Sequence, residues 1–208
     1  MRQLIQQAVL HSLPSNDDFT LNPHLSKKTP LVPAAVLLPL VEYADEYRII
    51  LTQRTAHLHN HPGQICFPGG RVDVDDRNVT ETALRETMEE IGLSRPFIDI
   101  IGTLDTYETG TGFLITPVVG FVKTGFHLKL DSFEVAEVFE VPLSFILDER
   151  NHQREIMHYR GQAHFYHVFY YQNRMIWGAT AGILVNFYQR LQQAKAQENL
   201  FTVHNSSY

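Results

Sequence analysis

Several features are scarce in this 208-residue chain. Its single cysteine, Cys66, cannot form an internal disulfide, so an oxidising compartment is not required. Seventeen basic residues face 23 acidic ones. The resulting deficit of positive charge disfavours a non-specific nucleic-acid coat or a polybasic membrane anchor. The longest apolar stretch, residues 31–41, is broken by prolines and falls short of the roughly 20 residues that span a bilayer. The N-terminus has no secretion signal, so we expect a cytoplasmic protein.

The apolar pattern predicts one mixed α and β unit past residue 34. Helical spacing is predicted over 2–13, over 79–91 and near the C-terminus, where four apolar residues share one side: Ile183, Leu184, Phe187 and Leu191. Strands are predicted at 34–42, 47–54, 97–104, 113–122 and 135–143, with another pair at 154–160 and 164–172. We divide the chain into an N-terminal helix with a connecting segment (1–33), a main domain (34–196) and a tail (197–208).

The most informative segment is the acidic helix predicted at 79–91. Residues three and four apart share a helix face, so Glu86, Glu89 and Glu90 are neighbours. Like charges at this spacing are mutually repulsive, whereas a hard divalent cation binds clustered carboxylates. The apolar residues of the helix, Met88 among them, are expected to pack on the other side. A solvated acidic face is the alternative interpretation of the helix alone.

The residues around this helix resemble the signature of the Nudix family. The match consists of Gly70, Arg85-Glu86, Glu89-Glu90, Gly92 and Leu93. There are three departures from the family pattern. Gly70 lies fifteen positions before Arg85 instead of fourteen, the position of the first glutamate falls on Arg77, and an aliphatic position is occupied by Thr87. The resemblance implies an α+β fold, with an α/β/α sandwich around a mixed β-sheet.

The resemblance also implies chemistry: hydrolysis of a diphosphate linked to another group, with Mg²⁺ or Mn²⁺ as cofactor. It assigns the metal to Glu86, Glu89 and Glu90, with the carbonyl of Gly69. Arg85 is expected to orient a glutamate, and Glu89 to take part in catalysis as well as metal binding. Divalent ions neutralise a diphosphate and lower the pKa of a bound water.

A general base in this family often comes from another loop. Glu134 is our candidate, favoured over Glu137 and Glu108. Each of the three is otherwise interpreted as a surface carboxylate.

A second motif precedes the signature. Ile50-Leu51-Thr52, Arg54, Thr55, Gly63 and the run 67–70 (FPGG) look like the motif of coenzyme A pyrophosphatases, LLTxRSx3Rx3Gx3FPGG. Arg54 is therefore a candidate phosphate contact. The second arginine of that motif is His59 here, and histidine is only partly charged at neutral pH. His59 is still a candidate substrate contact, but it lacks the permanent charge with which an arginine would hold a 3′-phosphate.

Aromatic residues offer further candidates. In the implied fold, Phe113 and Tyr107 border the substrate cleft, where they either stack on a base or belong to the core. Trp177 is interpreted as a packing residue. We expect a small-molecule substrate, neither nucleic acid nor membrane as partner, and leave a homodimer open.

Three functions are compatible with the sequence. The first is hydrolysis of coenzyme A or its derivatives, and the second is hydrolysis of a dinucleotide or nucleoside diphosphate sugar such as NADH or ADP-ribose. The third is nucleotide binding without catalysis, against which the intact carboxylate cluster argues.

Overall fold

The computed structural model describes residues 1–10, 12–13, 17–27, 29–58, 60–159 and 161–205. The predicted substrate contact His59 lies outside the described residues. The helices are α1 (Arg2–Leu10), α2 (Asp18–Leu21), α3 (Val79–Ile91), α4 (Leu143–Leu147) and α5 (Ala179–Asn205). The strands are β1 (Val32–Glu42), β2 (Tyr47–Arg54), β3 (Ile65–Cys66), β4 (Gly69–Arg71), β5 (Ile98–Thr103), β6 (Tyr107–Glu108), β7 (Phe113–Val122), β8 (Val135–Pro142), β9 (Gln153–Tyr159), β10 (Gln162–Tyr171) and β11 (Arg174–Trp177).

The larger sheet is mixed and is organised around β1. Strand β1 runs parallel to β7 along its length, while its other edge is shared by two partners. Its first half pairs with β4 and its second half with β2, both antiparallel. Strands β3 and β8 pair with β2, and β5 and β6 pair with β7. A smaller antiparallel sheet has the order β11-β10-β9. The predicted hairpins β1–β2 and β9–β10 are therefore confirmed.

Helices cover both faces of the larger sheet because alternate side chains of its strands point to opposite sides. On one side, Leu38 and Leu40 of β1 join a core with Leu184 and Phe187 of α5. On the other side, Leu37 packs near Ala83 of α3. The predicted α/β/α sandwich is confirmed, and the four apolar residues predicted to share one side of the C-terminal helix are all buried.

The N-terminal helix packs against α5. It ends at Leu10, before the limit of 13 predicted from the sequence. Arg190 of α5 is 3% exposed; its guanidinium donates to the carbonyl oxygens of Ala8 and Val9 and pairs with Asp105. The connecting segment contains α2, which was predicted as loop. No helix in the described part of the chain is long and apolar enough to cross a bilayer.

Candidate active site

Helix α3 has the predicted bounds because both ends are capped. The side chain of Asn78 accepts hydrogen bonds from the backbone N–H groups of Thr80 and Glu81, at 3.0 and 3.1 Å. At the other end, Gly92 adopts a left-handed conformation with φ 70°. One expectation is wrong: Met88 does not pack, since it is 52% exposed.

Thr87 occupies the aliphatic position of the signature and is nevertheless fully buried. Its hydroxyl donates to the carbonyl oxygen of Ala83 at 2.6 Å. This bond satisfies the donor inside the helix, so threonine replaces an aliphatic residue without leaving a buried donor unpaired.

Arg85 is anchored by Asp76. Its Nε and Nη2 donate to the two carboxylate oxygens at 3.0 and 2.9 Å, a forked geometry that fixes the guanidinium. Asp76 also accepts from the Thr82 hydroxyl and from the N–H of Asp73. The hydrogen bonds from Arg85 hold the pKa of Asp76 well below its usual range, and the same pairing raises the pKa of Arg85.

This pairing corrects the residue-by-residue match to the signature. Counting back from Arg85 puts Arg77 at the first glutamate position, but Asp76 makes the contact with Arg85. The additional loop residue before the helix shifts the acidic group by one position. The adjacent Asp75-Asp76 pair was the available signal in the sequence.

Arg85 also holds two of the three helix carboxylates. Its Nη1 donates to Glu86 at 2.9 Å and to Glu89 at 3.1 Å. Glu86 lies against the backbone of Gly70: a Cβ added there would stand 2.4 Å from the Glu86 carboxyl carbon. The second glycine of the FPGG run is therefore required for this close approach.

Glu90 is the buried member of the cluster, with 4% exposure. Its Oε2 accepts from the backbone N–H of Gly69 at 3.1 Å, and Arg54 Nη1 lies 3.8 Å from Oε1. The pKa of Glu90 is raised to about 8: burial is the largest cause and the charges of Glu86 and Glu134 add to it, while the Gly69 N–H and Arg54 act in the lowering direction. Gly69 was expected to offer its carbonyl to a metal; the contact seen is its amide donating to Glu90.

Glu134 ends the turn before β8, and its charge also raises the pKa of Glu86. Thr55 holds this turn: its N–H donates to the carbonyl of Glu134 at 3.0 Å and its hydroxyl to that of Phe133 at 2.7 Å. The other two base candidates have different partners. Glu137 pairs with Arg174 and Glu108 with Lys27. The structure therefore brings Glu134, of the three, to the helix carboxylates.

In the side-chain positions observed, no group of three or more His, Cys, Asp or Glu residues within the described ranges is placed to hold a metal ion. The physical reason is Arg85, which draws Glu86 and Glu89 to itself. The donor set nevertheless fits a hard divalent cation, because it consists of carboxylate oxygens. The raised pKa of Glu90 reflects the cost of burying its negative charge, which Arg54 and the Gly69 N–H offset only in part and a cation would offset further.

The remaining predicted residues lie around this cluster or in the core. Phe113 is half-buried under the guanidinium of Arg71, 5.4 Å from its ring centre. Tyr107 is a core residue, 1% exposed, and donates to Asp18 at 2.7 Å. Cys66 hydrogen-bonds with Thr52, and burial raises the pKa of its thiol to about 11. Cys66 is therefore protonated at neutral pH.

Comparison with known proteins agrees with this geometry. The family model of the NUDIX domain matches residues 32–159. The chain belongs to the Nudix family. It is 43% identical to the uncharacterized Nudix hydrolase NudL of Enterobacter sp. (strain 638) over 152 residues, which cover 73% of this chain and 78% of the relative. The expected enzyme class, a Nudix hydrolase, is confirmed.

Two further proteins are similar to this chain. The uncharacterized Nudix hydrolase NudL of Photorhabdus laumondii is 38% identical over 159 residues, covering 76% of this chain and 84% of the relative. Among solved structures, an Ap4A hydrolase from C. elegans aligns with a TM-score of 0.46 at 24% identity, over 55% of this chain and 82% of that one.

Proposed function

We propose that this chain is a divalent-metal-dependent diphosphatase that hydrolyses coenzyme A or its derivatives to 4′-phosphopantetheine and 3′,5′-ADP. The main supporting observation is that the coenzyme A pyrophosphatase-like segment and the Nudix helix lie close together. Arg54, from the segment that resembles the coenzyme A motif, faces the buried Glu90 of the Nudix helix at 3.8 Å. A residue of the substrate-side motif therefore stands beside the proposed metal ligands.

The surroundings of each residue suggest its role in the proposed reaction. Glu86, Glu89 and Glu90 would hold Mg²⁺ or Mn²⁺, with Gly69 beside them; the bound ion would neutralise the diphosphate and activate water. Arg54 would bind a phosphate oxygen, because its guanidinium is always charged and donates in a fork. Glu134 would accept the proton of the attacking water at its carboxylate.

Arg85 and Asp76 prepare the helix for this task. Arg85 touches Glu86 and Glu89, so it orients both carboxylates. Glu89 is 60% exposed at the side chain, so it can leave Arg85 without breaking core packing. In this proposal Glu89 joins the reaction when substrate and cation are present. Phe113 lines the approach to the site.

A second candidate is hydrolysis of a dinucleotide or nucleoside diphosphate sugar. It is favoured by His59 in place of the second arginine of the coenzyme A motif. A histidine at that position provides less positive charge for a 3′-phosphate. Nucleotide binding without catalysis is the third candidate; the cluster of Glu86, Glu89 and Glu90 argues against it, since like charges on one helix face repel each other and a non-catalytic domain gains nothing from keeping them.

A substrate panel tests the proposal. Purified protein with Mg²⁺ or Mn²⁺ is offered coenzyme A, NADH and ADP-ribose, and the products are separated by chromatography. Release of 3′,5′-ADP from coenzyme A is the expected result. AMP from NADH or ADP-ribose, with coenzyme A intact, would favour the second candidate. Nucleotide binding without turnover would favour the third.

The metal assignment has its own test. Glu90→Gln should lower turnover by orders of magnitude and weaken Mn²⁺ binding in calorimetry, while the circular dichroism spectrum is retained. An unchanged rate and unchanged Mn²⁺ affinity would contradict the role of Glu90.

A further inference from the structure

A cavity of about 370 Å³ lies away from the carboxylate cluster, between β2, β3, β8 and the smaller sheet. Gln53 of β2 lines it, on the same strand face as Ile49 and Leu51, which pack toward α5. Strand alternation puts Arg54 on the opposite face. The other main lining residues are Ile65, Glu137, Asn173, Arg174 and Trp177.

The cavity adjoins the substrate-side motif. Ile65 follows Gly63 of that motif and pairs with Gln53 across β2 and β3. The next residue on each strand, Arg54 and Cys66, faces the side of Glu90, whose charge affects the pKa of Cys66. The cavity and the catalytic cluster therefore lie on opposite faces of the sheet, and consecutive residues at the end of β2 face one and the other.

The charges inside the cavity offset each other. Arg174 pairs with Glu137 and stands over the ring of Phe139, 4.4 Å from its centre. Its Nη1 donates to Gln172 at 2.9 Å, which fixes the guanidinium. The Arg174 Nε–H is buried and makes no hydrogen bond to the described residues. The pocket is polar without a net charge, so it does not select a free phosphate.

The shape and chemistry favour a flat, neutral ligand. A volume of 370 Å³ is at the lower end of the roughly 300–1,000 Å³ typical of ligand pockets, which suits one part of a substrate. The indole of Trp177 lines the cavity, where a flat ligand could stack on it. The side-chain amides of Gln53 and Asn173 also line it, and that of Gln53 donates to the carbonyl oxygen of Gly63 at 3.4 Å. A nucleobase has both an aromatic face and a hydrogen-bonding edge. An acyl chain would lack partners for these polar groups.

We infer that this cavity binds the purine base of the nucleotide half of the substrate. This inference rests on the proposed function, because it places the base across the end of β2 from the diphosphate site. Trp177 stacks on the base, while Arg174 and Gln53 contact its edge. Trp177 was interpreted from the sequence as a packing residue; its place in the wall of the cavity gives it a second role.

Trp177 also provides a direct assay, because it is the single tryptophan of the chain. We would titrate the protein in EDTA with AMP and, in parallel, with ribose 5-phosphate, which has the same phosphate and no base. AMP should change the tryptophan fluorescence, and ribose 5-phosphate should not. Arg174→Met and the near-isosteric Gln53→Met should each weaken AMP binding about tenfold. The exposed Arg150→Gln serves as the matched control and should bind AMP like wild type.

The outcomes separate this inference from the proposed function. An AMP response lost in Gln53→Met supports the cavity even if coenzyme A is not hydrolysed. Hydrolysis of coenzyme A with the same KM in Gln53→Met and wild type would overturn the inference while the proposed function stands. Equal responses to AMP and ribose 5-phosphate, no response to AMP, or a response to 4′-phosphopantetheine instead would also overturn it. Circular dichroism of both methionine variants verifies folding, so loss of binding in a folded variant is decisive.

Discussion

Replacing Glu90 by glutamine should stabilise the metal-free protein at high pH, although it removes a proposed metal ligand. Glu90 is buried, and its pKa rises from the ordinary 4.5 to about 8. A raised acid pKa means that the folded protein holds the proton more tightly than the unfolded chain. The contribution of Glu90 to stability is therefore most favourable below pH 4.5 and falls as the pH rises toward 8.

The size of the effect follows from the pKa shift, because each unit of difference between the folded and unfolded pKa corresponds to about 1.36 kcal/mol of free energy. The full rise corresponds to about 5 kcal/mol as an upper limit, of which about 2–3 kcal/mol falls between pH 6 and pH 9. Glutamine has no titration in this range, and its amide oxygen can still accept from Gly69. The unfolding free energy of Glu90→Gln minus that of wild type should therefore be about 2–3 kcal/mol larger at pH 9 than at pH 6.

The assay is urea unfolding in EDTA at pH 6 and pH 9, followed by circular dichroism. Glu89→Gln is the matched control, because it removes a carboxylate from the same helix at an exposed position. Repeating the measurement with Mg²⁺ should stabilise wild type more than Glu90→Gln. A difference between Glu90→Gln and wild type that is the same at both pH values would refute the reasoning, because it would mean that Glu90 is not held protonated by the fold.

Three further predictions concern residues that support the site and the fold. Asp76→Asn should lower activity about 10- to 100-fold in a rate assay by releasing Arg85, whereas the neighbouring Asp75→Asn should have little effect; equal losses would contradict the anchoring role of Asp76. Gly70→Ala should keep the melting temperature within a few degrees but weaken Mn²⁺ binding in calorimetry about tenfold, because the added Cβ would displace Glu86. Gly110→Ala is the control, since a Cβ added at Gly110 would have its nearest atoms at 3.6 Å. Arg190→Met should cost about 1.5–3 kcal/mol in urea unfolding because it removes the charged hydrogen bonds to Asp105 and to the carbonyl oxygens of Ala8 and Val9. A loss no larger than that of the exposed Arg150→Met would refute this.

Much of the fold could be predicted because its long elements have a clear apolar period. The bounds of α3 follow from Asn78 and Gly92, which cap it, and β2 and β7 match their predicted ranges. The elements that were missed are short. Strands β3, β4 and β6 have two or three residues, too few for a period, and depend on pairing with β1, β2 and β7. Helix α2 has four residues and is capped by Asp17.

The site was predictable in its residue types but not in its partners. The spacing of Glu86, Glu89 and Glu90 predicted a shared face, which Arg85 organises in the structure. The contact between Asp76 and Arg85 depends on the path of a loop, which residue counting cannot follow. The exposure of Met88 has a similar cause: its direction is set by where α3 meets the sheet. Roles in metal binding and catalysis stay predictions until they are measured.

Thr55 makes two hydrogen bonds to the turn of Phe133 and Glu134, and this clamp has an evolutionary consequence. It fastens the end of the segment that carries Arg54 to the turn that carries Glu134. A deletion or insertion on one side of this clamp would pull the other side out of place. Variants that acquire a new substrate by reshaping one segment would therefore lose speed at once, unless a compensating change arose in the other. With the roles proposed for Arg54 and Glu134, selectivity and turnover would be inherited together.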